Sequence, residues 1–174
     1  MSAASGVTLV PFERPHADAT LAWNNDPELA RLLDRPRGIA SDEHLKWFDG
    51  LAGRNDTVFR AIYSEPGPRH IGNVWLANID QRHRKAEVRI LIGDKSAHGG
   101  GFGSLALDAI ARYAFDHLDL HRVYAYVLAF NPRARRAFER AGFVLEGTLR
   151  GDRWDGTQFV DTFVLGRLKS QSSI

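Results

Sequence analysis

The strongest constraint on this chain lies near its centre, where three unlike segments follow one another. Lys85 to Gly93 alternates, putting Ala86, Val88, Ile90 and Ile92 on one side of an extended chain and Glu87, Arg89 and Leu91 on the other. The first face suits a core, which leaves the second to carry chemistry. Next comes His98, Gly99, Gly100, Gly101, Phe102, Gly103 and Ser104, a glycine-rich loop. Then Leu107, Ile110, Ala111, Ala114, Phe115 and Leu118 recur at i, i+3, i+4, i+7, i+8 and i+11, the stripe of an amphipathic helix. A glycine loop that opens a helix can surround an anion, because its N–H groups approach closely and the first helical turn adds unpaired donors and partial positive charge. A turn that needs only backbone freedom would use glycine as readily.

The flanking segments supply a sheet. Val7 to Phe12 alternates like a strand, and Pro11 assigns it to an edge. His16 to Asn24 and Asp26 to Leu33 read as short helices broken at Asn24, Asn25 and Pro27, and Ser41 is the expected N-cap of a third through Trp47 and Phe48. Between them Asp34 to Ala40 is a loop. Thr57 to Tyr63 and His70 to Ile79 are strands around a Pro66-Gly67-Pro68 turn, and Lys85 to Gly93 completes the meander. After the long helix come a strand from Arg122 to Phe130, a helix from Pro132 to Ala141 and a strand from Phe143 to Arg150. Ala134, Ala137, Phe138 and Ala141 form the buried stripe of that helix, and Asp155-Gly156 offers a hairpin turn into a last strand, Gln158 to Leu168. The order predicts a mixed α/β or α+β sheet with helices on its faces.

At 174 residues, 44% of them hydrophobic, the chain is expected to be one domain, 1–174, with 1–6 and 169–174 as loose ends. A formal charge of +2 gives no reason to expect a nucleic-acid partner. There is no cysteine, hence no disulfide or thiolate nucleophile, and the seven histidines show no paired ligand spacing, so no metal is expected. The first residues lack a basic stretch leading into an apolar run, and no apolar run reaches membrane-spanning length, so a cytoplasmic protein without membrane partners is expected.

The Gly-x-x-x-x-Gly-Lys-Ser/Thr pattern is absent, and the loop is expected to follow a late strand of a meander rather than to open a βαβ unit. Glu87 to Ser104 instead resembles the acetyl-CoA-binding core of the GNAT superfamily, whose loop reads Arg/Gln-x-x-Gly-x-Gly/Ala before a helix. Here it reads His98-Gly-Gly-Gly101-Phe-Gly103, with His98 departing from the usual Arg or Gln. The likeness continues through Asn131, Pro132, Ala134, Phe138 and Gly142-Phe143 to Glu146-Gly147, Arg150, Gly156 and Asp161, as in the branch with ribosomal-protein alanine and spermidine acetyltransferases. It implies a mostly antiparallel sheet of about seven strands, splayed between the strand ending near Gly93 and the strand ending near Phe130. By the same resemblance acetyl-CoA is the co-substrate, its pantetheine arm fills the splay beside the backbone of Leu91, Ile92 and Gly93, and the 98–104 loop holds its pyrophosphate. A homodimer is compatible with this reading.

Acetyl transfer needs a neutral amine, a stabilised oxyanion and a protonated leaving thiolate. Glu87 is the candidate general base, through water, because it lies on the face away from the core and matches a family position that often carries an acid. It can equally be a strand carboxylate paired to Arg84, Arg89 or solvent. The oxyanion donor would be an N–H near Leu91 or Ile92. Many relatives place a tyrosine general acid where this chain has Phe138, which fits the buried stripe and cannot donate a proton. Water, Tyr124 or Tyr126 could serve in its place. Asn131 either bonds the pantetheine arm, as the family implies, or caps a helix.

In the family the first helices shape the acceptor pocket. Trp23-Asn-Asn-Asp-Pro27 followed by Ser41-Asp-Glu-His44-Leu-Lys-Trp47-Phe48 resembles members that act on nucleotide-linked amino sugars, and Arg31, Arg35 and Arg37 make the intervening loop cationic. Trp23, Trp47 and these arginines are therefore the expected acceptor contacts, and a nucleotide-linked amino sugar the expected acceptor. A peptide N-terminus, spermidine, and a CoA-binding module without chemistry are the alternatives. Solvated arginines and packed aromatics would look the same in sequence.

Overall fold

The computed structural model describes residues 6–35 and 38–172. Its strands are β1 (Gly6–Pro11), β2 (Val58–Glu65), β3 (Arg69–Asp80), β4 (Lys85–Ile92), β5 (Arg122–Leu128), β6 (Val144–Trp154) and β7 (Phe159–Leu168). Helices α1 (Arg14–Asn24), α2 (Pro27–Leu32) and α3 (Ser41–Leu51) precede β2, α4 (Phe102–His117) follows β4, and α5 (Pro132–Arg140) follows β5. All seven strands share one sheet in the order β1-β2-β3-β4-β5-β7-β6, with β1 at one edge as Pro11 requires. Every pairing is antiparallel except that of β4 with β5, which α4 joins, so the glycine loop does open a β-α-β unit, contrary to expectation.

That exception shapes the molecule. β4 and β5 pair only through Lys85 with Arg122, Ala86 with Val123 and Glu87 with Tyr124, and then part. On one face α4 buries Leu107, Ile110, Ala111, Ala114 and Phe115 against Val74, Leu76, Ala86 and Val88. Burying each large side chain contributes roughly 1.5–3 kcal/mol, so the alternation of β4 and the stripe of α4 hold each other. The other face lies under α1 and α3, where Asn73 Nδ2 donates to Thr20 Oγ1 at 2.8 Å and the rings of Phe59 and Trp75 stack 4.8 Å apart.

Several expected boundaries change. Ala40, not Ser41, is the N-cap of α3: Ala40 has the extended backbone of a cap, and Ser41 is already helical. β5 stops at Leu128, where the chain turns and the Asn131 N–H bonds the Leu128 carbonyl. β6 runs past Arg150 to Trp154, because irregularities at Leu145/Gly147 and Leu149/Arg153 take up extra residues without ending the pairing. Gly6, expected to be loose, pairs with Glu65, and Lys169–Ser172 forms a short 3-10 turn. The rest of the expected loose ends, residues 1–5 and 173–174, lies outside the described residues. Among the described residues no helix is long and apolar enough to cross a membrane.

Candidate active site

Where β4 and β5 part, a wedge opens, lined by Val88 and Ile90 on one side, Val127 and Leu128 on the other, and Ala134 and Phe138 of α5. At roughly 630 Å³ it has the size of a small-molecule site. A second cavity, around the glycine loop, shares Ile90, Asn131 and Ala134 with it, so an elongated ligand can run from loop to wedge.

The loop is shaped by backbone. Gly99 and Gly101 have φ of +80° and +88°, and Gly101 is the N-cap of α4. A Cβ on either would meet nothing within 4 Å, so glycine serves there for its left-handed conformation and not for space. Among the described residues no acceptor takes the N–H groups of Phe102, Gly103 and Ser104, while Ser104 Oγ donates to the Gly101 carbonyl at 2.8 Å and closes the turn. His98 does not stand in for the usual cation directly. Its Nδ1 lies 2.6 Å from Arg133 Nη1 and its Nε2 lies 2.8 Å from the Ile92 carbonyl. Arginine can only donate, so in this arrangement Nδ1 accepts and Nε2 donates. The histidine thereby fastens the end of β4 and holds an arginine beside the loop. Arg133, Arg136 and Arg140 all line this cavity. Their i, i+3, i+7 spacing marks one helix face, a signal present in the sequence but not used.

These residues fit acetyl-CoA. Free helix N-terminal donors and three arginines suit its phosphates, and the apolar wedge suits a slender arm. Two groups expected to pair with that arm are engaged within the protein: the Ile92 carbonyl with His98, and the Gly93 N–H with the Ile71 carbonyl at 2.9 Å. Asn131 is an N-cap, its Oδ1 accepting from the Ala134 N–H at 3.1 Å while the residue also lines both cavities. No group of three or more His, Cys, Asp or Glu among the described residues could hold a metal.

Glu87 sits on the last rung before the wedge and is 6% exposed. Its Oε1 accepts from Arg89 Nε at 2.6 Å, and its Oε2 accepts from Arg89 Nη2 and Asn78 Nδ2, each at 3.0 Å. Beside it, burial and then the Glu87 charge push the Tyr124 hydroxyl above its usual pKa. Tyr126 is exposed and lines the wedge. Phe138 is 3% exposed, its ring edge-on to Phe143 at 5.0 Å, in the core as its stripe implied.

The acceptor-side residues separate. Trp23 lies flat against Gly93, where a Cβ would fall 1.9 Å from the indole, and its ring centre is 4.8 Å from that of His70. It packs on the end of β4. Trp47 lines a cavity with Phe59, Trp75, Arg35 and Arg89. The Arg31 guanidinium lies 4.8 Å over the Phe130 ring, Arg35 reaches the wedge, and Arg37 lies outside the described residues. Arg153 also lines the wedge, 3.1 Å from Asp152 and 3.8 Å from Asp34. It was missed because β6 was expected to end before it. Lys95 bonds Asp26 at 2.8 Å and Glu28 at 3.0 Å, tying α2 to the strand-to-loop connection and, with Asp26 capping α2, holding that carboxyl below its usual pKa.

Residues 7–144 match the family model described as the acetyltransferase (GNAT) domain. A spermidine N(1)-acetyltransferase of Vibrio cholerae is 39% identical over 96 residues, 55% of each chain. A putative ribosomal N-acetyltransferase, YdaF of Bacillus subtilis, is 38% identical over 79 residues, 45% of this chain and 43% of the relative. The matched stretches thus span about half the length of these two relatives. The crystal structure of a Vibrio cholerae spermidine N-acetyltransferase with CoA and spermine superposes with a TM-score of 0.89 at 26% identity, covering 97% of this chain and 98% of that one.

Proposed function

The chain belongs to the GNAT acetyltransferase family, and on that premise we propose that it moves an acetyl group from acetyl-CoA to a primary amine. The observation that carries this reading is the continuity between a loop of free N–H donors and a wedge opened inside the sheet. Acetyl-CoA supplies the activated acyl carbon. The protein's part is to bind phosphates with the start of α4 and Arg133, to seat the arm between β4 and β5, and to admit the amine from beneath α1–α3. Glu87, at the apex of the wedge, takes the ammonium proton through water, and an N–H near Leu91 or Ile92 meets the oxyanion. With a phenyl ring at Phe138, the thiolate is protonated by solvent or by Tyr126.

The relatives support a polyamine acceptor more than the nucleotide-linked amino sugar expected from the Trp23-to-Phe48 segment. Spermidine is accordingly the reference acceptor. The test is release of CoA from acetyl-CoA with spermidine, an alanine-starting peptide or a nucleotide-linked amino sugar present. Release that requires an added amine is the expected result. Acetyl-CoA binding without amine-dependent release from any of them would leave a binding module and overturn the enzyme reading.

A further inference from the structure

Charge on the acceptor side of the wedge is answered everywhere but at one residue. Glu87 is committed to Arg89, and Arg153 has Asp152 and Asp34. Arg35, from the segment between α2 and α3, is partly buried, and among the described residues its guanidinium has neither an ion pair nor a hydrogen-bond acceptor. The charge that acts on it is that of Arg89, a like charge. Burial first, and then Arg89, lower its pKa, although an arginine stays charged. It borders the wedge and two adjoining hollows, while the cavity around the glycine loop does not reach it. The lining of the wedge carries three arginines, Arg35, Arg89 and Arg153, against two carboxylates, Asp34 and Glu87. A cation held half out of water beside another cation costs stability unless a ligand answers it.

We propose that Arg35, backed by Arg89, recognises an anionic group, carboxylate or phosphate, on the molecule whose amine is acetylated. The inference rests on the acetyltransferase reading and departs from the polyamine to which the relatives point: the acceptor it names is a primary amine that also carries a negative charge. A polyamine would bring only positive charge to a guanidinium that already lacks a partner. An anion gives Arg35 the charge-assisted, two-pronged bond its fork geometry favours, and does so away from the phosphates of the cofactor.

The experiment compares wild type with Arg35→Gln and Arg35→Lys at saturating acetyl-CoA, using UDP-glucosamine as the phosphate-bearing amine, 4-aminobutyrate as the carboxylate-bearing amine and spermidine as the cation. The expected result is a wild-type kcat/KM at least tenfold higher for one anionic amine than for spermidine. Arg35→Gln should raise the KM for that amine roughly tenfold to a hundredfold, with kcat and the KM for acetyl-CoA nearly unchanged. Arg35→Lys should recover part of the loss, and spermidine turnover should not fall. The anionic amine that responds separates phosphate from carboxylate. A wild-type preference for spermidine that Arg35→Gln leaves intact overturns the proposal. If no amine is acetylated, calorimetry on the CoA-loaded protein with the two anionic probes decides: binding lost in Arg35→Gln supports the anion site while the transferase reading fails, and absence of binding to wild type overturns the site itself.

Discussion

The two walls of the cleft are built from different materials. Toward the glycine loop the protein offers chiefly main-chain N–H groups at the start of α4, set by left-handed glycines and residues adjacent in sequence, with Arg133, Arg136 and Arg140 of α5 beside them. Under α1–α3 it offers side chains from segments far apart: Arg35 before α3, Trp47 on α3, Trp75 on β3, Arg89 on β4 and Arg153 on β6. A main-chain wall changes only if its conformation changes, which suits a ligand that stays constant. A side-chain wall changes one substitution at a time, which suits a ligand that differs between relatives.

The largest test of the contrast falls on the side-chain wall. Glu87→Gln keeps the shape and the Asn78 contact but removes the charge that Arg89 answers, and kcat is expected to fall about 10²-fold or more. An unchanged rate would make Glu87 a structural partner of Arg89. On the main-chain wall, Gly101→Val forces a branched side chain into φ +88° and disturbs the first turn of α4. Calorimetry should then show acetyl-CoA affinity falling about a hundredfold for a stability loss of roughly 1–3 kcal/mol. Intact affinity in the folded variant would break the contrast, since the wall would not depend on its backbone.

Phe138 lines the wedge from the core side, and Phe138→Tyr places a hydroxyl in a buried, apolar site. Thermal unfolding should report a loss of roughly 1–3 kcal/mol with little change in rate, and a large rate gain would show that a missing acid limits turnover. Smallest is a control remote from both walls. Arg122 holds the Glu146 carboxyl below its usual pKa, so the pair contributes stability above pH 4.5, the ordinary value, and loses it as pH falls through the lower folded-state value. Glu146→Gln should cost under about 1 kcal/mol at neutral pH and flatten that acid slope, with kcat and both KM values unmoved.

The same contrast governs what could be read from sequence. The β4 alternation, the glycine loop and the α4 stripe are local patterns; they led to the strands, the helices and an anion-holding loop, and the resemblance to the GNAT superfamily added acetyl-CoA. Residues whose position depends on distant packing were not legible. Nothing near Trp23 indicates that its indole rests on Gly93, and nothing near Arg35 shows that it lacks a partner while Arg31 has Phe130. Arg153 escaped because irregularities prolong β6, and irregularities follow from cross-strand pairing. The intermediate case is His98, whose odd identity was visible but whose service in holding Arg133 required the fold.

The seam of three residue pairs between β4 and β5 has a consequence for solubility. A strand edge is a template on which a foreign strand can grow, and proteins guard the edges at the rim of a sheet with charge, proline or cover. Pro11 serves the rim at β1. By parting in its interior, this sheet makes two more edges, which face each other across a wedge roofed by Leu32 and Leu33 on one side and by Ala134 and Phe138 on the other. An incoming polypeptide needs about 4.8 Å of clear spacing along its length on each side, and a gap that closes to a point at Glu87 and Tyr124 cannot provide it. The opening therefore offers a foreign strand no even edge on which to grow.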